Sequence, residues 1–125
     1  MLGYVTIGTN DFDRAVAFYE DLFKELDAKV AMQNERFKAW TSPAGGPMIG
    51  VIKPFDEKKA TVGNGMMVGV VAPSRALVDK VHAKALKLGG KDEGAPGIRG
   101  GEGSTFYGGY FRDLDGNKLV VFNMS

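Results

Sequence analysis

The apolar positions of this chain change period along its length, and they do so twice in the same order. Residues 4–8 are β-branched and alternating, the period-two pattern of a strand. Thr9-Asn10-Asp11 then offers side-chain oxygens to the free N–H groups of a first helical turn. Phe12, Ala15, Val16, Tyr19, Leu22, Phe23 and Leu26 follow at helical spacing as one apolar stripe, with Asp13, Arg14, Glu20, Asp21 and Lys24 opposite. Apolar stretches at 29–32, 37–41 and 48–53 predict three more strands, interrupted by Gln33-Asn34-Glu35 and by Pro43-Ala44-Gly45-Gly46-Pro47.

After a polar linker at 54–64 the plan returns. Residues 66–71 read as a strand, and Ser74 is placed to cap a helix carrying Leu77, Val78, Val81, Ala85 and Leu88 on one face. Gly89-Gly90 ends that helix, because glycine takes the left-handed conformation without a Cβ penalty. Residues 106–112 and 118–123 are strands, joined by the turn signal Asp115-Gly116-Asn117. The glycine-rich stretch 94–103 predicts a surface loop preceded by a short strand. The 125 residues are expected to form one domain, residues 1–125, made of two modules at about 1–57 and 63–125.

Composition narrows the possible partners. Lys and Arg total 16 against 15 Asp and Glu, a net charge of +1 with no electrostatic footprint for nucleic acid or for an acidic membrane. Met1-Leu2-Gly3 runs straight into the strand pattern, with no signal-peptide architecture, and no apolar run reaches the roughly 18 residues of a membrane span. The absence of cysteine removes disulfides, thiolate metal sites and thiol nucleophiles together, and it fits a cytoplasmic protein.

Few residues propose chemistry. His82 is the only histidine, so two-histidine metal sites within one chain are excluded, and its place on a helix predicts a partly exposed helix-face side chain. The glycines at 94, 97, 100, 101, 103, 108 and 109 lack the GxxxxGK[ST] spacing of a phosphate loop. Serines 42, 74, 104 and 125 have no imidazole partner other than His82, and Asp113 and Asp115 belong to a turn. Glu35 and Glu102 have no placement that argues for a base. The residues identify no catalytic group.

The whole chain nonetheless resembles the vicinal oxygen chelate superfamily, which includes glyoxalase I, bleomycin-resistance proteins and extradiol dioxygenases. The likeness rests on the opening strand with Asn10-Asp11 and Arg14-Ala15-Val16-Ala17-Phe18-Tyr19. It continues with Val81-His82-Ala83-Lys84-Ala85-Leu86 leading to Gly89-Gly90. It closes with Phe111-Arg112-Asp113-Leu114-Asp115-Gly116-Asn117, where Leu114 stands in place of the family's proline. The resemblance implies an α+β fold of two βαβββ modules whose mixed, curved sheets form a cup. It also implies four metal-ligand positions on the first and last strands of each module, and these fall on Tyr4, Gly50, Met67 and Val120. None of those side chains is a ligand, so no metal and no cofactor are expected.

The expected site is therefore a dry pocket on the former metal wall, where Tyr keeps a polar handle and Met adapts its shape. Tyr4, Met48, Gly50, Met67, Gly69 and Val120 are its candidate lining. Trp40, Tyr107 and Tyr110 join it from neighbouring strands, some of them facing the cavity by period-two alternation. The leading expectation is metal-independent binding of a hydrophobic or aromatic small molecule by a homodimer, as the resemblance implies. The alternatives are a glyoxalase-like lyase, isomerase or dioxygenase-type enzyme, and a structural or interaction module with a filled cup. A duplicated ferredoxin-like unit is the alternative fold.

Overall fold

The computed structural model describes residues 1–125. Its elements are β1 (Tyr4–Gly8), α1 (Phe12–Phe23), β2 (Lys29–Gln33), β3 (Phe37–Thr41) and β4 (Met48–Ile52), followed by β5 (Val68–Val71), α2 (Arg75–Lys87), β6 (Lys91–Ile98), β7 (Tyr107–Arg112) and β8 (Lys118–Asn123). The first half builds one sheet in the order β1-β4-β3-β2 and the second builds another in the order β5-β8-β7-β6. In each, the first strand runs parallel to the last and the remaining pairs are antiparallel, so both sheets are mixed. The strand, helix, three-strand plan read from the periodicity is thus present in both halves. No helix is long and apolar enough to cross a membrane.

The helix ends form as their capping residues dictate. Asp11 accepts a hydrogen bond from the Arg14 N–H, and Ser74 accepts one from the Leu77 N–H, both at 3.2 Å. Gly89 leaves α2 at φ 104°, after which the Gly90 N–H returns to the Ala85 carbonyl at 2.8 Å. Two expectations need correction. The strand expected from residue 66 begins at Val68. The surface loop expected at 94–103 is in large part strand, because β6 continues to Ile98 through register shifts between Asp92 and Gly94 and between Gly94 and Gly97. Bulges let a glycine- and proline-bearing segment stay paired on a sheet edge.

The two sheets do not keep separate cores. Ile7, Phe18, Tyr19, Leu22, Phe23, Trp40 and Val51 from the first half share one buried cluster with Ala72, Val78, Val81, Phe111, Leu119 and Val121 from the second. Tyr19 and Phe23 of α1 pack against Trp40 of β3, with ring centroids 6.2 and 5.7 Å apart. Lys84 of α2 reaches Asp21 at 3.0 Å and Glu25 at 3.3 Å, tying the helices together at the surface. The helices are thus shared filling, and each sheet turns its other face away from them.

One end of this packing is stapled by polar bonds. The buried Asp113, in the β7–β8 turn, accepts from the Tyr19 hydroxyl at 2.6 Å and from the Asn117 side-chain amide at 3.0 Å. Its other oxygen accepts from the Asp115 and Asn117 N–H groups at 2.9 Å each. Asn117 also donates to the Gly8 carbonyl at 3.0 Å, and Asp115 accepts from the Asn10 N–H at 2.9 Å. The turn residues read as local punctuation therefore also join the halves. Burial, with the Asp113 charge and hydrogen bond beside it, holds the Tyr19 phenol well above its ordinary range.

Candidate ligand site

Strand alternation sorts the candidate residues between faces. In the first sheet Ile7, Trp40 and Val51 join the buried core, so Tyr4, Met48 and Gly50 lie on the opposite, outward face. Tyr4 stands opposite Met48, and Gly50 stands between Thr6 and Ala39. Gly50 is space already taken: a Cβ there would lie 2.2 Å from Phe37 Cε2, because that ring covers the strand. In the second sheet Gly69 stands opposite Val120, and Val120 opposite Tyr110. Gly108 likewise yields to Phe106, whose ring stacks on Phe122 at 5.1 Å. Tyr110 carries Arg99 and Lys118 over its ring at 5.4 and 5.6 Å.

These outward faces are wet in the single chain. Tyr4 is 61% exposed, Met67 45% and Val71 66%, whereas Val120 is buried among its neighbours. The four positions at which the family resemblance implies metal ligands, Tyr4, Gly50, Met67 and Val120, carry a phenol, no side chain, a thioether and an isopropyl group. No group of three or more His, Cys, Asp or Glu side chains is placed to hold an ion. With no imidazole, thiolate or carboxylate among them, these positions do not fit a zinc, nickel or iron(II) centre.

Two expected pocket aromatics, together with the histidine, lie on the helix side. Trp40 is buried against α1 and donates its indole N–H to Glu20 at 3.1 Å. Tyr107 turns toward α2 and donates to Asp79 at 2.6 Å, a hydrogen bond that raises its phenol above the ordinary range. His82, expected to be partly exposed, is buried. Its Nε2 faces two acceptors, Asp92 Oδ1 and the Tyr110 carbonyl, each at 3.1 Å, so that nitrogen carries the proton and donates. Gly109 makes room for the imidazole, since a Cβ there would meet His82 Cδ2 at 3.0 Å. The histidine thus ties α2 to β6 and β7.

A partly open space lies along the seam between the sheets. A cavity of about 460 Å³ is lined by Val5 and Ile49 from the first half, by Val68 and Val70 from the second, and by Phe23 and Trp40 at its base. Val5, Ile49, Val68 and Val70 remain only partly buried, so the shared core is left unfinished there. Met48 and Gly69 line the same cavity, as does Trp40, whereas Tyr4, Gly50, Met67, Tyr107, Tyr110 and Val120 do not. Polar groups are few. Thr41 and Ser42 stand at the wall, their hydroxyls engaged with carbonyls of the β3–β4 turn. Such a volume and lining suit a small apolar molecule oriented by one or two hydroxyls. The sequence hid this cavity because it arises from the docking of elements far apart in the chain.

Comparison with known proteins accords with this geometry. The family model of the Glyoxalase/Bleomycin resistance protein/Dioxygenase superfamily matches residues 1–121. The fold is similar to the crystal structure of a glyoxalase/bleomycin resistance protein from Albidiferax ferrireducens T118, with TM-score 0.89 and 31% identity over 100% of this chain and 99% of that one. A glyoxalase/bleomycin resistance protein/dioxygenase family enzyme from Burkholderia phytofirmans PsJN gives TM-score 0.75 and 17% identity, covering 98% of each chain. Lactoylglutathione lyase from Agrobacterium tumefaciens gives TM-score 0.69 and 20% identity, covering 98% of this chain and 92% of that one. No curated protein matches the chain. Its two mixed four-stranded sheets, its two helices and a family match over nearly all its residues place this chain in the glyoxalase/bleomycin resistance protein/dioxygenase superfamily.

Proposed function

We propose that this member of the superfamily binds a hydrophobic or aromatic small molecule without a metal ion, in the seam cavity. The observation that carries the reading is the cavity itself, about 460 Å³ walled by Val5, Ile49, Val68 and Val70. Apolar side chains left partly wet in the free protein gain roughly 25 cal/mol per Å² when a ligand covers them. The lyase named among the structural relatives lends a second reading, yet Tyr4, Gly50, Met67 and Val120, the positions the family resemblance implies for ligands, offer no imidazole or carboxylate to hold a carbonyl-polarising metal. A cytoplasmic location fits a chain with no cysteine.

A thermal-shift comparison tests the proposal, because a ligand selective for the folded state raises apparent stability by mass action. One arm contains zinc, nickel, manganese or iron(II), and the other contains aromatic, cationic and antibiotic-like organic compounds. Organic compounds alone are expected to raise the melting temperature by several degrees at about a hundredfold excess over Kd. Stabilisation confined to the metal arm overturns the reading and favours the enzyme.

The functional unit in this proposal is a homodimer, as Tyr4 and Met67 leave large apolar surface on the outward faces. Sedimentation velocity at about 10 µM is expected to show a species of twice the 13.4 kDa chain mass. A 13.4 kDa species up to about 100 µM contradicts it.

A further inference from the structure

A second cleft lies at the opposite end of the first sheet, and its chemistry is the reverse of the seam. It occupies about 320 Å³ where β1 and β4, which run parallel, both end, and it shares no lining residue with the apolar cavity. Arg36, Lys53, Lys58 and Lys59 line it, with Glu57 as the only carboxylate among the lining residues. Lys53, Lys58 and Lys59 form no ion pair with any carboxylate of the chain. Arg36 has one at 3.7 Å, to a Glu57 side chain that is 81% exposed. Four cationic residues against one carboxylate along a single cleft give it a positive potential that an anion relieves.

Lys53, Lys58 and Lys59 are carried on a segment fixed at both ends, and Arg36 faces its start. Arg36 donates to the carbonyls of Lys53 at 3.3 Å and Pro54 at 2.7 Å, which sets the guanidinium against the start of the segment. At the far end the Asn10 side chain donates to the Ala60 carbonyl at 3.0 Å and accepts from the Ala60 N–H at 2.7 Å. Between them the Glu57 N–H closes a turn onto the Pro54 carbonyl at 3.0 Å, with Glu57 at φ 63°. Lys53 lies over the Phe12 ring at 5.6 Å. A backbone pinned at both ends loses less freedom when an anion arrives than a free loop does.

We propose that this cleft is a binding site for a phosphoryl dianion, held by Arg36, Lys53, Lys58 and Lys59. A dianion matches the excess of cations better than a singly charged carboxylate, and its oxygens accept from both guanidinium and ammonium donors. The site stands independently of the seam cavity, so either proposal can fail without the other.

Phosphorus NMR and calorimetric titrations test it, with inorganic phosphate, phenyl phosphate and acetate at matched ionic strength. Saturable binding of both phosphates is expected, with acetate at least about tenfold weaker. Equal affinity for the two phosphates assigns the site to the free ion. A tighter phenyl phosphate assigns it to an organic phosphate monoester. The double variant Lys58→Gln/Lys59→Gln alters only exposed side chains and is expected to weaken phosphate about tenfold or more with the fold unchanged by circular dichroism. Glu57→Gln removes the opposing charge and is expected to act in the other direction, tightening phosphate several-fold. Phosphate binding that is absent, that equals acetate, or that is indifferent to both variants overturns the proposal.

Discussion

Asp113→Ala is expected to lower the unfolding free energy by about 3–5 kcal/mol, measured by urea denaturation near neutral pH. Four donors converge on this carboxylate, from Tyr19, Asp115 and both the backbone and side chain of Asn117. Alanine leaves the Tyr19 hydroxyl without its partner in the core and releases the turn that also reaches Gly8 and Asn10. Tyr19→Phe removes one donor only and is expected to cost about 1–2 kcal/mol. A loss below about 1 kcal/mol for Asp113→Ala means that the turn is not the staple described here.

The same pair predicts a pH dependence. Tyr19 is raised from its ordinary 10.0, by burial first and then by the charge and hydrogen bond of Asp113. Its protonated form is thus favoured in the native state, and the unfolded chain releases its proton first as pH rises. This contribution is present in full below 10.0 and is lost as pH climbs toward the higher native value. Urea midpoints from about pH 8 to about pH 11 are expected to fall more steeply for the wild type than for Tyr19→Phe. Parallel curves contradict the assignment.

Val70→Asp is expected to weaken binding of an aromatic probe such as 1-naphthol by about a hundredfold, read by fluorescence titration. Val70 lines the seam cavity and is partly exposed in the free chain, so a carboxylate there stays hydrated until a ligand displaces its water. Covering it then costs several kcal/mol unless the ligand supplies a partner. Met67→Asp, at an exposed position outside the cavity, is expected to leave affinity within about twofold. If Met67→Asp destroys binding and Val70→Asp does not, the ligand sits on the outward face and the seam is only a packing defect.

The sequence made most of the fold legible because each half obeys simple periodicities. The Phe12-to-Leu26 stripe, the caps at Asp11 and Ser74 and the Gly89 exit all depend on neighbours within a few residues. β6 was legible only in part, since Gly94, Pro96 and Gly97 carry the composition of a loop while bulges keep the strand paired. Alternation also limits which aromatics can share a wall. Tyr107 and Tyr110 sit an odd number of residues apart on one strand, as do Phe37 and Trp40, so each pair divides between faces. The seam cavity was not legible, for it depends on how β1 and β4 of the first half dock beside β5 of the second. The burial of His82 needed the same knowledge, because its acceptors come from Asp92 and Tyr110.

A duplicated chain has two equivalent places where its halves touch, and here evolution has treated them unequally. Gly8 ends β1 as Val71 ends β5, and Asn117 precedes β8 as Pro47 precedes β4. At the first meeting point the Asn117 amide bonds the Gly8 carbonyl and the joint is shut. At the second, Pro47 has no amide to offer Val71, and the two residues border the seam cavity instead. Broken pseudosymmetry thus separates one joint, shut by a hydrogen bond, from its twin, which is left open along the seam.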